Sequence, residues 1–171
     1  MSLETVLLRG TTCTLAGLGS ALRIPTSSGI FHLIEPQPPC GSPQYVAPEL
    51  LSNKPFDGYA IDLFAAGVML FVMLLGSEDL FVAPLPEDRR FQDICVDGNL
   101  KELLHRMESK YSKSFLVSND ALDLLQKMLR AEPKDRLSLS QIQQHAWVIQ
   151  GGADGATAPK SRVELSCGLT D

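Results

Sequence analysis

Few residues in this chain carry the means to do chemistry, and their spacing narrows what that chemistry could be. Four cysteines, Cys13, Cys40, Cys95 and Cys167, are scattered with no Cys-x-x-Cys pair and no neighbouring pair of histidines. A zinc-type metal site is therefore not expected. Gly17-Leu18-Gly19 begins like a phosphate-cradling loop, but Ser20, Ala21 and Leu22 follow and the third glycine is missing. Thr26, Ser27 and Ser28 set three hydroxyls in a row, either phosphoacceptors or plain polar linker. Asp62 is the one charge in the apolar run 60–75. As a helix N-terminal acid it would gain about 0.3–1 kcal/mol from the macrodipole. Glu49 and Arg136 are opposite charges in otherwise apolar or turn-like surroundings.

The elements that must position these groups belong to a chain of 171 residues, 44% hydrophobic and 20% charged, enough for one globular domain with a core. Fifteen Lys and Arg against twenty Asp and Glu leave a net charge of −5. That balance argues against nucleic acid or an anionic membrane as partner, since both select a basic stripe. Residues 1–10 carry Glu4 and Arg9 and lack a small-residue cleavage site, so no secretory signal is read there. An intracellular, cytoplasmic location with reduced thiols is the expectation. The run 60–75 is apolar except for Asp62. It is shorter than the about 20 apolar residues of a membrane span, and fits a helix buried inside a globular domain.

Residues 5–8 and 11–16 are β-prone and separated by Arg9-Gly10, which predicts a two-stranded hairpin. From 17 to 48 glycines and prolines break every period, which predicts a long loop, functional or disordered. Pro48-Glu49-Leu50-Leu51 reads as a short helix with Pro in its first turn. Helices are predicted over 59–75, ending at Gly76, and over 88–95, 100–107, 118–129 and 138–147. Ser118 is a capping residue, and Ser138 with Gln141 has capping-box spacing. Periodicity vanishes from Gly151 onward.

The stretch 40–51, CGSPQYVAPELL, resembles the end of the activation segment of a serine/threonine protein kinase. Two further matches follow in order. Asp62 and Gly67, in DLFAAGVMLFVML, are similar to the start of the long kinase helix usually called F. Arg136, in EPKDRLSLSQIQQHAWV, is similar to the Arg of the last kinase block, which closes on a His-x-Trp/Phe pair, here His145 and Trp147. The resemblance covers roughly residues 2–148. It implies a mainly α fold of the kinase C-terminal-lobe type, with a small β-hairpin and a long activation-segment loop. The expectation is that the N-terminal lobe is absent, with 1–148 forming a partial kinase domain and 149–171 a disordered tail.

The resemblance also implies roles for particular residues. Glu49 and Arg136 would form a buried ion pair, where two surface charges would be worth only ~0–1 kcal/mol. Asp62 would hold the catalytic loop by accepting its backbone hydrogen bonds. Ser42 would lie in the substrate loop, and Leu7, Met69 and Met73 would match the column beneath the adenine or serve as ordinary core. SLETVLL at 2–8 resembles the end of the catalytic loop, with Thr5 at the position of the metal-binding Asn. LAGLGSALRI at 15–24 resembles the Asp-Phe-Gly stretch, with Gly17 where the metal-binding Asp should be. No Val-Ala-Ile-Lys strand and no His-Arg-Asp occurs, so no catalytic residue is assigned. ATP and Mg²⁺ are the family's cofactors, but neither is expected for this chain, since a hard dication needs oxygen ligands that Gly17 lacks. The expectation is a kinase-like binding or scaffold domain without phosphotransfer, meeting a protein partner or substrate through the helices around 91–107. The alternative is the C-terminal part of a longer ATP-dependent serine/threonine kinase.

Overall fold

The computed structural model describes residues 1–10, 12–77, 80–111 and 114–151. A single 3₁₀ turn, Leu3–Thr5, leads into β1 (Val6–Arg9), which pairs antiparallel with β2 (Thr12–Leu15) so that Val6 faces Leu15. This is the hairpin predicted from the two β-prone runs. The loop after it is more structured than its glycines and prolines suggest. It holds a 3₁₀ turn at Leu18–Ser20 and a second hairpin, β3 (Thr26–Ser27) with β4 (Ile30–Phe31). The two-residue turn of that hairpin is Ser28-Gly29, both at positive φ (51° and 77°), the geometry whose twist suits a tight hairpin. Ile34 then bridges to Phe56, and 3₁₀ turns at Pro43–Tyr45 and Pro48–Leu51 bring the segment back onto the helices.

The central element is α1 (Gly58–Leu75), started by Asp57, whose carboxylate accepts the Tyr59 N–H at 2.8 Å, and stopped at Gly76. By length and composition it could cross a membrane, yet nine of its residues are buried, Phe64, Val68 and Phe71 completely. Its main partner is α4 (Asn119–Met128). The two backbones approach closely at Gly67, where a Cβ would stand 3.0 Å from the Met128 Cβ and 3.1 Å from Leu129 Cδ2. A larger residue there would push the helices apart.

Around this pair the core is closed by α2 (Arg89–Phe91), which widens into a π-turn over Gln92–Val96, and by α3 (Leu100–Tyr111). Phe91, Ile94, Cys95, Leu100, Leu103 and Leu104 all turn inward. Asp88 caps α2 by accepting from the Arg90 and Phe91 N–H groups, and its other oxygen accepts from Val82 and Ala83. Gln126 ties α4 to the same region, accepting from Leu100 N–H at 2.9 Å and donating to the Ile94 carbonyl at 2.8 Å. Burial pushes the Cys95 thiol far up, so it is a small hydrophobe here.

The helix expected over 138–147 is two: α5 (Leu139–Gln143), with Ser138 and Gln141 in a reciprocal capping box, and α6 (Ala146–Ile149). His145 between them is extended (φ −69°, ψ 139°) because it caps α6, its Nδ1 accepting the Trp147 N–H while Nε2 reaches Asp123 at 3.0 Å. That pairing makes the Nε2–H tautomer the fitting one. Of the stretch 149–171 expected to lack structure, Ile149 ends α6 and Gly151 closes the following turn. Residues 152–171, and Cys167 with them, lie outside the described residues. Cys13 and Cys40 are free and exposed.

Candidate functional site

Between the first turn, the end of β2 and residues 16–22 on one side and the 37–50 segment and α1 on the other lies a cleft of about 300 Å³. Thr5, Gly17, Ser42 and Asp62 all line it, four residues spread over 57 positions of sequence. Leu7 does not. Side chains alternate along a strand, and Val6 is the one that packs on the core, so Leu7 turns away and is 56% exposed. Met69 is core, while Met73 is exposed on the outer face of α1.

Thr5 and Gly17 meet directly. The Thr5 hydroxyl donates to the Ser2 carbonyl at 2.8 Å and accepts the Ser2 N–H at 3.1 Å, so both of its main hydrogen-bonding roles are used inside the first turn. That reciprocal box leaves the Thr5 methyl facing Gly17, where a Cβ would stand 3.0 Å from Thr5 Cγ2. Gly17 itself is left-handed at φ 71°, a conformation that costs most residues about 1–2 kcal/mol. The Thr5 carbonyl accepts the Ala16 N–H at 2.8 Å, which locks the two segments together. A magnesium ion needs a near-octahedral shell of oxygens, and here a methyl group faces a glycine. These residues do not fit a divalent cation.

Asp62 sits on the first turns of α1 at the cleft wall. Loss of hydration at the wall pushes its carboxyl above the ordinary range, an effect the Met1 ammonium partly offsets. It keeps an opening to solvent, and among the described residues no hydrogen bond reaches it. Ser42 precedes the Pro43–Tyr45 turn without capping it through its side chain.

Next to the cleft the structure brings Glu49 and Arg136 together, 87 positions apart in sequence. Nη1 and Nη2 of Arg136 donate to the two carboxylate oxygens, each at 2.7 Å. The remaining donors are also matched: Nη1 to the Ala60 carbonyl at 3.0 Å, Nη2 to Ala131 at 2.8 Å and Nε to Arg130 at 2.7 Å. The guanidinium lies 4.8 Å from the Phe64 ring centre, and the Arg136 and Glu49 side chains are 1% and 12% exposed. One side chain thereby joins the 3₁₀ turn at Pro48–Leu51, α1 and the end of α4. With all five N–H donors satisfied the charge can stay buried.

Sequence reading missed two contributors. Ser2 closes the box that consumes the Thr5 hydroxyl, and the signal was its position three residues before Thr5. Asp88 holds the 82–91 corner through four backbone donors, a role no short motif announces. The segment 91–107 presents mainly polar groups outward, including the Arg106–Asp93 pair at 3.1 Å, with Val96 the exposed apolar exception.

A family model described as "Protein kinase domain" matches residues 6–148. Among curated proteins, the chain is similar to a probable serine/threonine-protein kinase of Dictyostelium discoideum, 34% identical over 111 residues, 64% of this chain and 12% of that protein. It is likewise similar to the probable serine/threonine-protein kinase MARK-B of the same organism, 36% over 112 residues, 66% of this chain and 14% of that one. Serine/threonine-protein kinase SIK1 of Rattus norvegicus is 34% identical over 110 residues, 64% of this chain and 12% of its own length. The matched regions thus span only 12–14% of these relatives.

Proposed function

The chain belongs to the protein kinase domain family, and on that premise we propose that it is a C-lobe-like portion of a kinase domain that binds rather than catalyses. The observation that carries the reading is the Thr5–Gly17 contact. Kinase-family chemistry in general uses ATP with Mg²⁺, and phosphoryl transfer depends on compensating charge at the phosphates. With a methyl and a glycine at the two matching positions, and no lysine, arginine or histidine side chain lining the cleft among the described residues, the usual sources of that compensation are lacking. No step of transfer is assigned to any residue.

In this reading the helices are retained for contact with a protein, through the outer face of 91–107, in an intracellular setting. Because the inner face of that segment is core, the partner meets Asp93, Arg106 and Val96 rather than the buried leucines. A second reading follows from the names of the relatives: the chain is the C-terminal part of a longer ATP-dependent serine/threonine kinase. Upstream sequence could then bring a nucleotide lobe, but it would not change Gly17.

Thermal unfolding of the full chain with 1 mM Mg-ATP tests the non-catalytic reading. Binding at a hundred times the Kd adds about 2.7 kcal/mol, or roughly 5–10 °C for a domain of this size. We expect no shift with Mg-ATP and no phosphate transfer to a generic protein substrate. A shift of several degrees that requires Mg²⁺ would overturn the non-catalytic reading.

A further inference from the structure

At the joint of α4, α5 and α6, away from the cleft, one titratable ring has a different task for each of its two nitrogens. His145 separates the two short helices, and its side chain is only 10% exposed. Nε2 donates to a carboxylate oxygen of Asp123 at 3.0 Å, and Nδ1 accepts the Trp147 N–H at 3.4 Å. Only the neutral ring with its proton on Nε2 can make both contacts at once. A protonated ring has two donors and no acceptor. It would keep the Asp123 contact as an ion pair and turn an N–H toward the N–H of Trp147.

The surrounding charges favour holding the ring in place when it takes up that proton. On α4, Asp123 accepts from it directly, and Lys127 shares the same carboxylate oxygen at 2.7 Å. Asp120 stands a turn earlier, and among the described residues no hydrogen bond or ion pair joins it to His145. Neither α5 nor α6 contains an ionisable side chain. Lys127 first, and His145 after it, hold the Asp123 carboxyl below its ordinary value. It therefore stays an anion over the range in which histidines ordinarily change charge. The helix it faces is a single turn, too short to persist on propensity alone. The His145 carbonyl takes the Val148 and Ile149 N–H groups, and the ring takes that of Trp147. We propose that His145 is a proton-operated cap: neutral, it holds the first turn of α6, and protonated, it stays on Asp123 and releases Trp147.

The test follows the His145 ring and the Trp147 amide together by NMR in the full chain, from about pH 5 to 8. Amide exchange is expressed relative to an unstructured chain at the same pH. On acidification the protection of Trp147 should fall about fivefold to tenfold, the size of one lost cap, with the same midpoint as the ring. Leu125, fully buried on α4, should keep its protection. Emission of Trp147, the chain's one tryptophan, should shift to the red over the same titration. His145→Asn supplies a capping oxygen that does not titrate. In that variant Trp147 should stay protected throughout, although His32 and His105 remain to titrate. Equal protection of Trp147 on both sides of the ring's midpoint in the native chain overturns the proposal, with no variant needed. So does a loss that extends to Leu125, or one that persists in His145→Asn.

Discussion

Within one turn of α1, Ala60 and Asp62 stand in opposite situations. The Ala60 carbonyl receives one of the five hydrogen bonds of Arg136, a buried charge whose every donor is matched. Asp62, two residues on, is a carboxylate in a cleft with no hydrogen-bond donor among the described residues. The first region is a joint on which three segments depend. The second is a surface whose residues can change at little cost to the fold. A buried ion pair is tolerated only when its hydrogen bonding is complete, and removing one partner leaves the other charge stranded. A cleft residue in contact with water has no such penalty, so chemistry can disappear from it while the surrounding structure persists.

The largest test of this contrast is Arg136→Ala. It should lower the unfolding free energy by about 3–5 kcal/mol in urea titration, since it strands Glu49 and three carbonyls. A loss of under about 1 kcal/mol, the range of a surface pair, would place the joint in the same class as the cleft. Asp88→Ala should come next, at about 1–2 kcal/mol, by removing a helix cap and the anchor of 82–83. Burial alone would raise the Asp88 carboxyl, but the four backbone donors outweigh it and hold the group below its ordinary value. Its folded value lies below the unfolded one, so the stabilisation is complete above the usual carboxylate range and fades as pH falls through the depressed value. The variant should therefore show a shallower acid-side loss of stability.

Gly17→Ala should cost about 1–2 kcal/mol from the left-handed backbone alone. Thr5→Ser removes the methyl at 3.0 Å and should recover part of any steric share of that cost, which a double-mutant cycle reads directly. Additive losses would mean that the contact between the two positions carries no energy. The smallest effects belong to exposed carboxylates. Asp123 is held below its ordinary value, chiefly by the Lys127 hydrogen bond at 2.7 Å, then by His145. Asp123→Asn should cost about 0.5 kcal/mol at neutral pH, diminishing in acid. Asp62 has the opposite sign, because its folded carboxyl titrates above the unfolded one and its charge weighs against the fold as pH rises through that value. Asp62→Asn should leave stability unchanged or raise it by no more than about 0.5 kcal/mol at neutral pH, with no effect in strong acid.

Much of the fold was legible because its signals are local. The run 60–75 with Gly76 after it, Ser118 before an amphipathic stretch, and the Ser138–Gln141 spacing each act within a few residues. The β3–β4 hairpin was readable too, from Ser28-Gly29, but the surrounding glycines and prolines masked it. The break at His145 was not, because its Nε2 bonds to Asp123 on α4, 22 positions away. Leu7 shows the converse. Its position in a motif suggested a place in the site, but strand alternation decided which way it turned.

The sequence by itself determined most of the helices, the first hairpin and the absence of a carboxylate at Gly17, because residue identity and short-range periodicity suffice for these. Only the tertiary structure decided that the Thr5 hydroxyl closes on Ser2, that its methyl covers Gly17 and that Asp62 lines the cleft with the Met1 ammonium as its charged neighbour. It also decided that Arg136 finds five acceptors on three segments of chain. A donor's partners depend on where distant backbone carbonyls arrive once the core has packed, and no local pattern encodes that arrival.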